Sequence, residues 1–86
     1  MRRDPDFFAD PEIPLLYMAK RLREALKVEK LLTDAEVDYL VETGPYTGGL
    51  LIRRDLTGAF FYVAPADLAR AQQILRDNRY RPYEQD

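Results

Sequence analysis

The segment Ala59-Phe60-Phe61-Tyr62-Val63-Ala64 constrains the fold of this chain more than any other feature. Its six residues are apolar or aromatic, with no alternation between apolar and polar positions. Such a run is typical of a strand in the middle of a sheet that is covered on both faces. We therefore predict a central strand here, and a fold that covers both of its faces.

The first third of the chain predicts a strand followed by a helix. Residues 15–20 form a short apolar run after Pro14, which favours a strand. From Arg21 to about Thr33 the apolar residues recur at helical spacing. A single helix from Leu15 to Leu32 remains an alternative, because no glycine or proline interrupts that stretch. The predicted apolar stripe of the helix consists of Leu22, Ala25, Leu26, Val28 and Leu32.

The middle of the chain predicts a second strand and then a long loop. Residues 37–42 alternate between apolar and polar positions, as a strand with one buried face does. Three glycines and a proline then break the pattern over residues 44–49, and residues 55–58 have the composition of a turn. We predict a long loop between the second strand and the central strand, with a hairpin inside the loop as an alternative.

A second helix follows the central strand. Pro65 suits a first helical turn, Asp67 places negative charge near the helix N-terminus, and the apolar residues recur at helical spacing to about Asn78. The order strand, helix, strand, loop, strand, helix predicts an α+β, ferredoxin-like βαββα sandwich with both helices on one face of an antiparallel sheet.

Three segments are expected on this basis. Residues 14–78 form the ferredoxin-like domain. Residues 1–13 are rich in proline and acidic side chains and are expected to be an extended, solvated tail. Residues 79–86 form a second tail or a short edge strand, since Pro82 is tolerated only at an edge.

Composition narrows the possible functions. The 86 residues include no cysteine and no histidine, and the net charge is −2. Thiolate and imidazole chemistry and the usual zinc sites are therefore excluded, and the basic excess typical of nucleic-acid binding is missing. No apolar run is long enough to span a bilayer. We predict a cytoplasmic protein that is not an enzyme, with no cofactor, metal, nucleic-acid or membrane partner.

Two stretches carry a resemblance to known proteins, namely Leu22 to Leu32 leading into Ala35-Glu36-Val37-Asp38-Tyr39, and Phe61-Tyr62-Val63-Ala64-Pro65-Ala66-Asp67-Leu68-Ala69-Arg70-Ala71. On these motifs, roughly residues 15–76 resemble a small bacterial family of unknown function, the prokaryotic signal-transducing proteins grouped with PII-like regulators. The resemblance implies the ferredoxin-like fold and no established activity. The family commonly has a glycine where Glu36 stands, so we expect either a left-handed Glu36 or a rebuilt turn.

Two sets of candidate site residues follow. The resemblance implies that the loop after the second strand touches partners or an anionic ligand, although it lacks the lysine of a phosphate-binding P-loop. The candidate ligand-binding residues are Gly44, Tyr46, Gly48, Gly49, Arg53 and Arg54. The candidate interface residues are the aromatic side chains Phe7, Phe8, Phe60 and Tyr62.

The central aromatic strand decides between the possible functions. Its sequence does not reproduce the aromatic motif of RNA-recognition domains, so RNA binding is the less favoured alternative. We predict a non-catalytic regulatory or protein-interaction module that forms a dimer or trimer through the helix-free sheet face and also binds a further protein partner. The main alternative is a PII-like sensor of a small anionic ligand or nucleotide.

Overall fold

The computed structural model describes residues 1–8, 12–48 and 54–83 and confirms the predicted α+β architecture. The first strand is confirmed, so the alternative of one helix from Leu15 to Leu32 is wrong. In chain order the elements are β1 (Leu15–Ala19), α1 (Leu22–Asp34), β2 (Tyr39–Gly48), β3 (Arg54–Val63) and α2 (Leu68–Asp77), with 3₁₀ turns at Pro5–Phe7 and Pro65–Asp67. Neither described helix is long and apolar enough to cross a bilayer.

The three strands form an antiparallel sheet in the order β1-β3-β2, so β3 is the central strand as predicted. Phe61 lies opposite Tyr17 of β1 on one side and Val41 of β2 on the other. The register of β1 against β3 shifts between Leu15 and Tyr17. This β-bulge points the Leu16 side chain into the core. This order is the one a ferredoxin-like sheet has in its first three strands.

Both helices pack on the same face of the sheet. Phe61 and Val63 of β3 are fully buried there. Burying such a side chain contributes about 1.5–3 kcal/mol, so this single layer of contacts accounts for most of what a short chain can gain from its core. The other core residues are Leu16, Ala19, Ala25, Val28, Leu32, Val37, Tyr39, Ala71 and Leu75.

The stripe predicted for α1 is narrower than expected. Ala25, Val28 and Leu32 are buried, but Leu22 is 76% and Leu26 is 55% exposed. Those two leucines lie four residues apart along one side of the buried stripe, where they share a helix face. The predicted apolar stripe was therefore wrong at these two leucines. Helix α1 packs on the core through the side that carries Val28.

The predicted loop was also wrong over residues 44–48, and so was the turn predicted over residues 55–58; residue 49 lies outside the described part of the chain. β2 continues through Gly44 and Pro45 to Gly48, and it pairs residue by residue with β3 from Arg54 onward. Proline is tolerated here because β2 lies at the edge of the sheet. The result is a long β2–β3 hairpin whose residues 49–53 lie outside the described part of the chain.

The N-terminal segment is not simply a solvated tail. Arg2 forms a parallel bridge with Tyr39 at the outer edge of β2, where the Arg3 amide donates to the Tyr39 carbonyl at 2.8 Å. The Arg3 guanidinium also donates to Asp38 at 2.8 Å. An edge strand exposes unpaired backbone groups, and residues 1–3 satisfy some of those of β2.

The C-terminal segment lies at the opposite edge. The Tyr83 amide donates to the Leu16 carbonyl of β1 at 2.7 Å, without forming a strand within the described residues. Tyr80 packs edge-to-face on Tyr17, with ring centroids 5.8 Å apart. The Tyr17 hydroxyl donates to Glu24 at 2.5 Å, so one side chain connects β1, α1 and the C-terminal segment.

Ionisation of Tyr17 should make the free energy of unfolding depend on pH in the alkaline range. Burial, and then its hydrogen bond to Glu24, raise the pKa of Tyr17 above its usual value near 10. The folded state therefore holds the phenolic proton more tightly than the unfolded state. This contribution is fully present below about pH 10 and is lost as pH rises through the raised pKa.

We therefore expect the free energy of unfolding to fall above about pH 10, and to fall less steeply in Tyr17→Phe. The substitution also removes a hydrogen bond worth about 1 kcal/mol at neutral pH. Urea unfolding of both proteins at several pH values measures the two effects separately. Parallel pH profiles would contradict the assignment. Tyr39 and Tyr62, whose pKa values burial also raises, account for a slope that remains in the variant.

Both helices end in the same backbone motif, each with a non-glycine residue in the left-handed region. After α1, Glu36 has φ 59°, and the Val37 amide donates to the Leu32 carbonyl at 2.9 Å. After α2, Arg79 has φ 68°, and the Tyr80 amide donates to the Leu75 carbonyl at 2.8 Å. These are Schellman caps, which most often place glycine at the left-handed position. The left-handed Glu36 is thereby confirmed.

Glu36→Gly and Arg79→Gly should each raise the free energy of unfolding by about 1 kcal/mol. Removing Cβ relieves a left-handed penalty of roughly 1–2 kcal/mol, part of which is offset by the greater freedom of glycine in the unfolded chain. Chemical denaturation measures the change. The matched control is the exposed Lys27→Gly in the interior of α1, which should lower stability by about 1 kcal/mol. A destabilised Glu36→Gly would contradict this account.

Candidate interaction surfaces

The sheet face opposite the helices is the first candidate surface. Residues directly opposed across strands point to the same face. Phe60 lies opposite Met18 and Glu42, and Tyr62 lies opposite Leu40. Because the neighbouring residues Phe61 and Val63 point to the helices, these side chains point away from them. Tyr62 also lies opposite Leu15 of β1. We call this surface the open face; its described residues are Leu15, Met18, Leu40, Glu42, Gly44, Gly58, Phe60 and Tyr62.

The open face is mainly apolar, and some of it is already covered. Leu40 is only 8% exposed, and Phe60 and Tyr62 are half-buried. Ile13, from the segment before β1, lies beside Leu40, Glu42 and Tyr62 around a shallow depression of about 240 Å³. The Val63 amide donates to the Pro14 carbonyl at 3.3 Å, which holds that segment against the sheet.

Among the open-face residues whose side chains the structure describes, Glu42 is the charged one, and it influences its neighbour. The pKa of Tyr62 is raised by burial first and by the Glu42 carboxylate second. The Tyr62 phenol therefore stays neutral well above physiological pH. This part of the face can accept an apolar or hydrogen-bonding partner, and the Glu42 carboxylate repels anions from it.

The Phe60 ring lies beside a pair of glycines. Gly44 and Gly58 lie opposite each other in the β2–β3 ladder, and Gly58 is buried. A Cβ on Gly44 would lie 3.6 Å from Cε2 of Phe60, at ordinary van der Waals distance. Aromatic side chains commonly cover glycines across a strand pair in this way.

Gly44→Ala should therefore be tolerated, with a gain of about 0.5 kcal/mol in the free energy of unfolding. The new methyl group contacts the Phe60 ring without a clash, and alanine has less freedom than glycine in the unfolded chain. Thermal and urea unfolding provide the measurement. A loss of about 1 kcal/mol or more would mean that the Phe60 ring cannot accommodate the methyl group.

The predicted ligand-binding residues do not form a loop around a ligand. Gly44, Tyr46 and Gly48 lie in β2, and Arg54 lies in β3 opposite Gly48. In an extended ladder the backbone amides alternate between the partner strand and the open edge, so they do not converge on one point as in a phosphate-binding loop. Gly49 and Arg53 lie outside the described residues. Ligand binding by this set stays a prediction.

The predicted interface residues fall into two places. Phe60 and Tyr62 share the open face, whereas Phe7 and Phe8 belong to the N-terminal segment and pack on each other with centroids 5.2 Å apart. Phe7 is 51% exposed, and the Arg3 guanidinium lies 4.7 Å from its ring centroid. The aromatic contacts found within the described residues do not join the two pairs.

Sequence reasoning missed four apolar contributors to the open face, namely Ile13, Leu15, Met18 and Leu40. Leu40 gave a usable signal, because it is the apolar residue in the otherwise polar phase of β2, between Asp38 and Glu42. Met18 gave none, since a continuous apolar strand does not reveal which face a residue occupies.

A groove on the helix side is a second surface that the sequence did not suggest. It has a volume of about 250 Å³ and lies between the C-terminal halves of the two helices. A neighbouring depression lined by Arg76, Tyr80, Arg81 and Pro82 shares the Tyr80 ring. The groove itself is lined by Lys27, Lys30, Leu31, Asp34, Asn78 and Tyr80.

Comparisons with protein-family models, with curated proteins and with solved structures found no match. The resemblance to the signal-transducing family therefore stays a prediction. Among the described residues, no group of three or more acidic side chains could hold a metal ion.

Proposed function

We propose that this chain is a non-catalytic regulatory or protein-interaction module of the cytoplasm that self-associates through the open face. One observation supports the proposal above all others: Phe60 and Tyr62 project from the central strand onto a sheet face that no described helix covers. An apolar patch of this kind on a small domain commonly marks an interface.

The arrangement of the open face matches the anatomy of a protein interface. The two aromatic side chains lie on the middle strand, with Leu40 and Met18 on the strands that flank it. Glu42, exposed, lies toward the hairpin end. Aromatic residues at the centre of an interface, with charged residues kept to its rim, are typical of specific contacts.

A second copy suits the open face better than a small ligand. The depression beside Tyr62 is only about 240 Å³, below the roughly 300–1,000 Å³ of most ligand sites, and the Glu42 carboxylate disfavours an anion there. A flat sheet face instead matches another sheet face, since two such faces pack about 10 Å apart. A two-fold axis through β3 brings the Phe60 and Tyr62 rings of both copies together.

A non-catalytic role is supported by the chemistry of the titratable groups. The chain has no histidine or cysteine. The tyrosine pKa values that are shifted are all raised, away from neutral pH. Acid–base catalysis usually depends on a group tuned toward the working pH.

Phe60→Glu should abolish the association that takes place through the open face, because it places two like charges opposite each other in an apolar interface. Loss of a central aromatic residue commonly raises a dissociation constant by about 30-fold or more. Sedimentation velocity over a range of protein concentrations measures the change, with circular dichroism to show that the variant is folded.

The matched control is Leu22→Glu, which introduces the same charge at an exposed leucine on the helix side. We expect it to associate like the parent chain. A monomeric parent chain, or a Phe60→Glu variant that associates normally, would refute self-association through the open face.

A further inference from the structure

The groove beside the end of α2 is positively charged in a chain that is negative as a whole. The groove and the adjoining depression are lined by four basic side chains and one acidic side chain, a balance of +3 against a net charge of −2 for the chain. We call this surface the basic groove; its charged residues are Lys27, Lys30, Arg76 and Arg81, with Asp34.

Part of that charge is already compensated, because Lys30 pairs with Asp34 at 3.0 Å. Among the side chains that the structure describes, Lys27, Arg76 and Arg81 form no ion pair within 4 Å. These three cations are available to a negatively charged partner.

The inner wall of the basic groove is apolar and held in place. Leu31 and Tyr80 are half-buried, and Tyr80 is fixed by its contact with Tyr17. The depression beside Leu31 and Tyr80 has a volume of about 250 Å³, adequate for one aromatic side chain, and the adjoining depression beside Arg76 and Arg81 has about 640 Å³. Helix α2 also ends here, and the partial negative charge of its C-terminus disfavours a compact anion such as phosphate. An aromatic side chain with carboxylates spaced around it fits these conditions better.

The N-terminal segment of this chain has that chemistry. We call residues 4–8 the knob. A 3₁₀ turn over Pro5–Phe7 is closed by the Phe7 amide donating to the Asp4 carbonyl at 3.0 Å, and it presents a half-exposed Phe7 between two exposed carboxylates, Asp4 and Asp6. Neither carboxylate forms an ion pair within the described residues.

The topology keeps the knob away from the basic groove of its own chain. Residues 1–3 are bound to the outer edge of β2, whereas the segment that carries Tyr80 is bound to the outer edge of β1 by the Tyr83 amide. β1 and β2 are the two opposite edges of the sheet. The knob can therefore meet a basic groove only on another molecule.

We propose that the knob of one copy docks in the basic groove of a second copy, with Phe7 against Leu31 and Tyr80 and with Asp4 and Asp6 near Lys27 and Arg81. The contact joins two different surfaces, so it is heterologous and continues from copy to copy into a ring or a filament. It is separate from the open face, and it should weaken as salt is added.

Charge reversal in the full-length chain tests the contact. One variant combines Asp4→Lys and Asp6→Lys in the knob, and the other combines Lys27→Glu and Arg81→Glu in the basic groove. Each variant alone should associate about tenfold more weakly than the parent chain, because like charges then face each other. An equimolar mixture should recover association, since the reversed knob meets the reversed groove. Sedimentation velocity at low and high salt provides the measurement.

The same measurement in a Phe60→Glu background separates this contact from the open face. Association that survives Phe60→Glu and disappears on reversing the knob supports the proposal, whatever the outcome for the open face. Association that does not change with salt overturns it. So do folded single variants that associate like the parent chain, or a mixture that fails to recover.

Discussion

The pairing of β3 with a strand on each side is the constraint on which the rest of the structure depends. It makes Phe61 and Val63 the centre of the core and, because side chains alternate along a strand, it sends Phe60 and Tyr62 to the opposite face. A register slip of one residue would exchange the two pairs. The core and the proposed interface are therefore specified by the same ladder.

Much of the fold could be predicted because its signals are local. Both helices follow from short-range periodicity, and β1 and the central strand follow from short apolar runs. The left-handed Glu36 was one of two outcomes expected from the glycine that the resembling family commonly has at that position. The long hairpin could not be predicted in this way. Glycine and proline usually interrupt strands, and only pairing with a partner far along the chain keeps Gly44 and Pro45 extended. The docking of residues 1–3 on β2 likewise depends on a distant, unpaired strand edge.

The candidate surfaces were predictable to different degrees. Phe60 and Tyr62 were identified because a strand that is apolar on both faces requires a second cover. The covering role of Ile13 depends on how the segment before β1 crosses the sheet, which no local pattern encodes. The basic groove is formed by residues about fifty positions apart, brought together only because the end of α2 lies beside α1.

The two proposed contacts differ in physical character, and the difference determines how they would act together. Exposed charge pairs are individually weak, generally below about 1 kcal/mol, so the contact between knob and groove depends largely on Phe7 and is sensitive to salt. The contact proposed for the open face is apolar and two-fold, so it would close at two copies. A dimer formed through the open face presents two knobs and two grooves, and this raises their effective concentration toward another dimer. The proposed apolar contact would thus strengthen the weak charged contact between dimers. Ionic strength would then control assembly beyond the dimer.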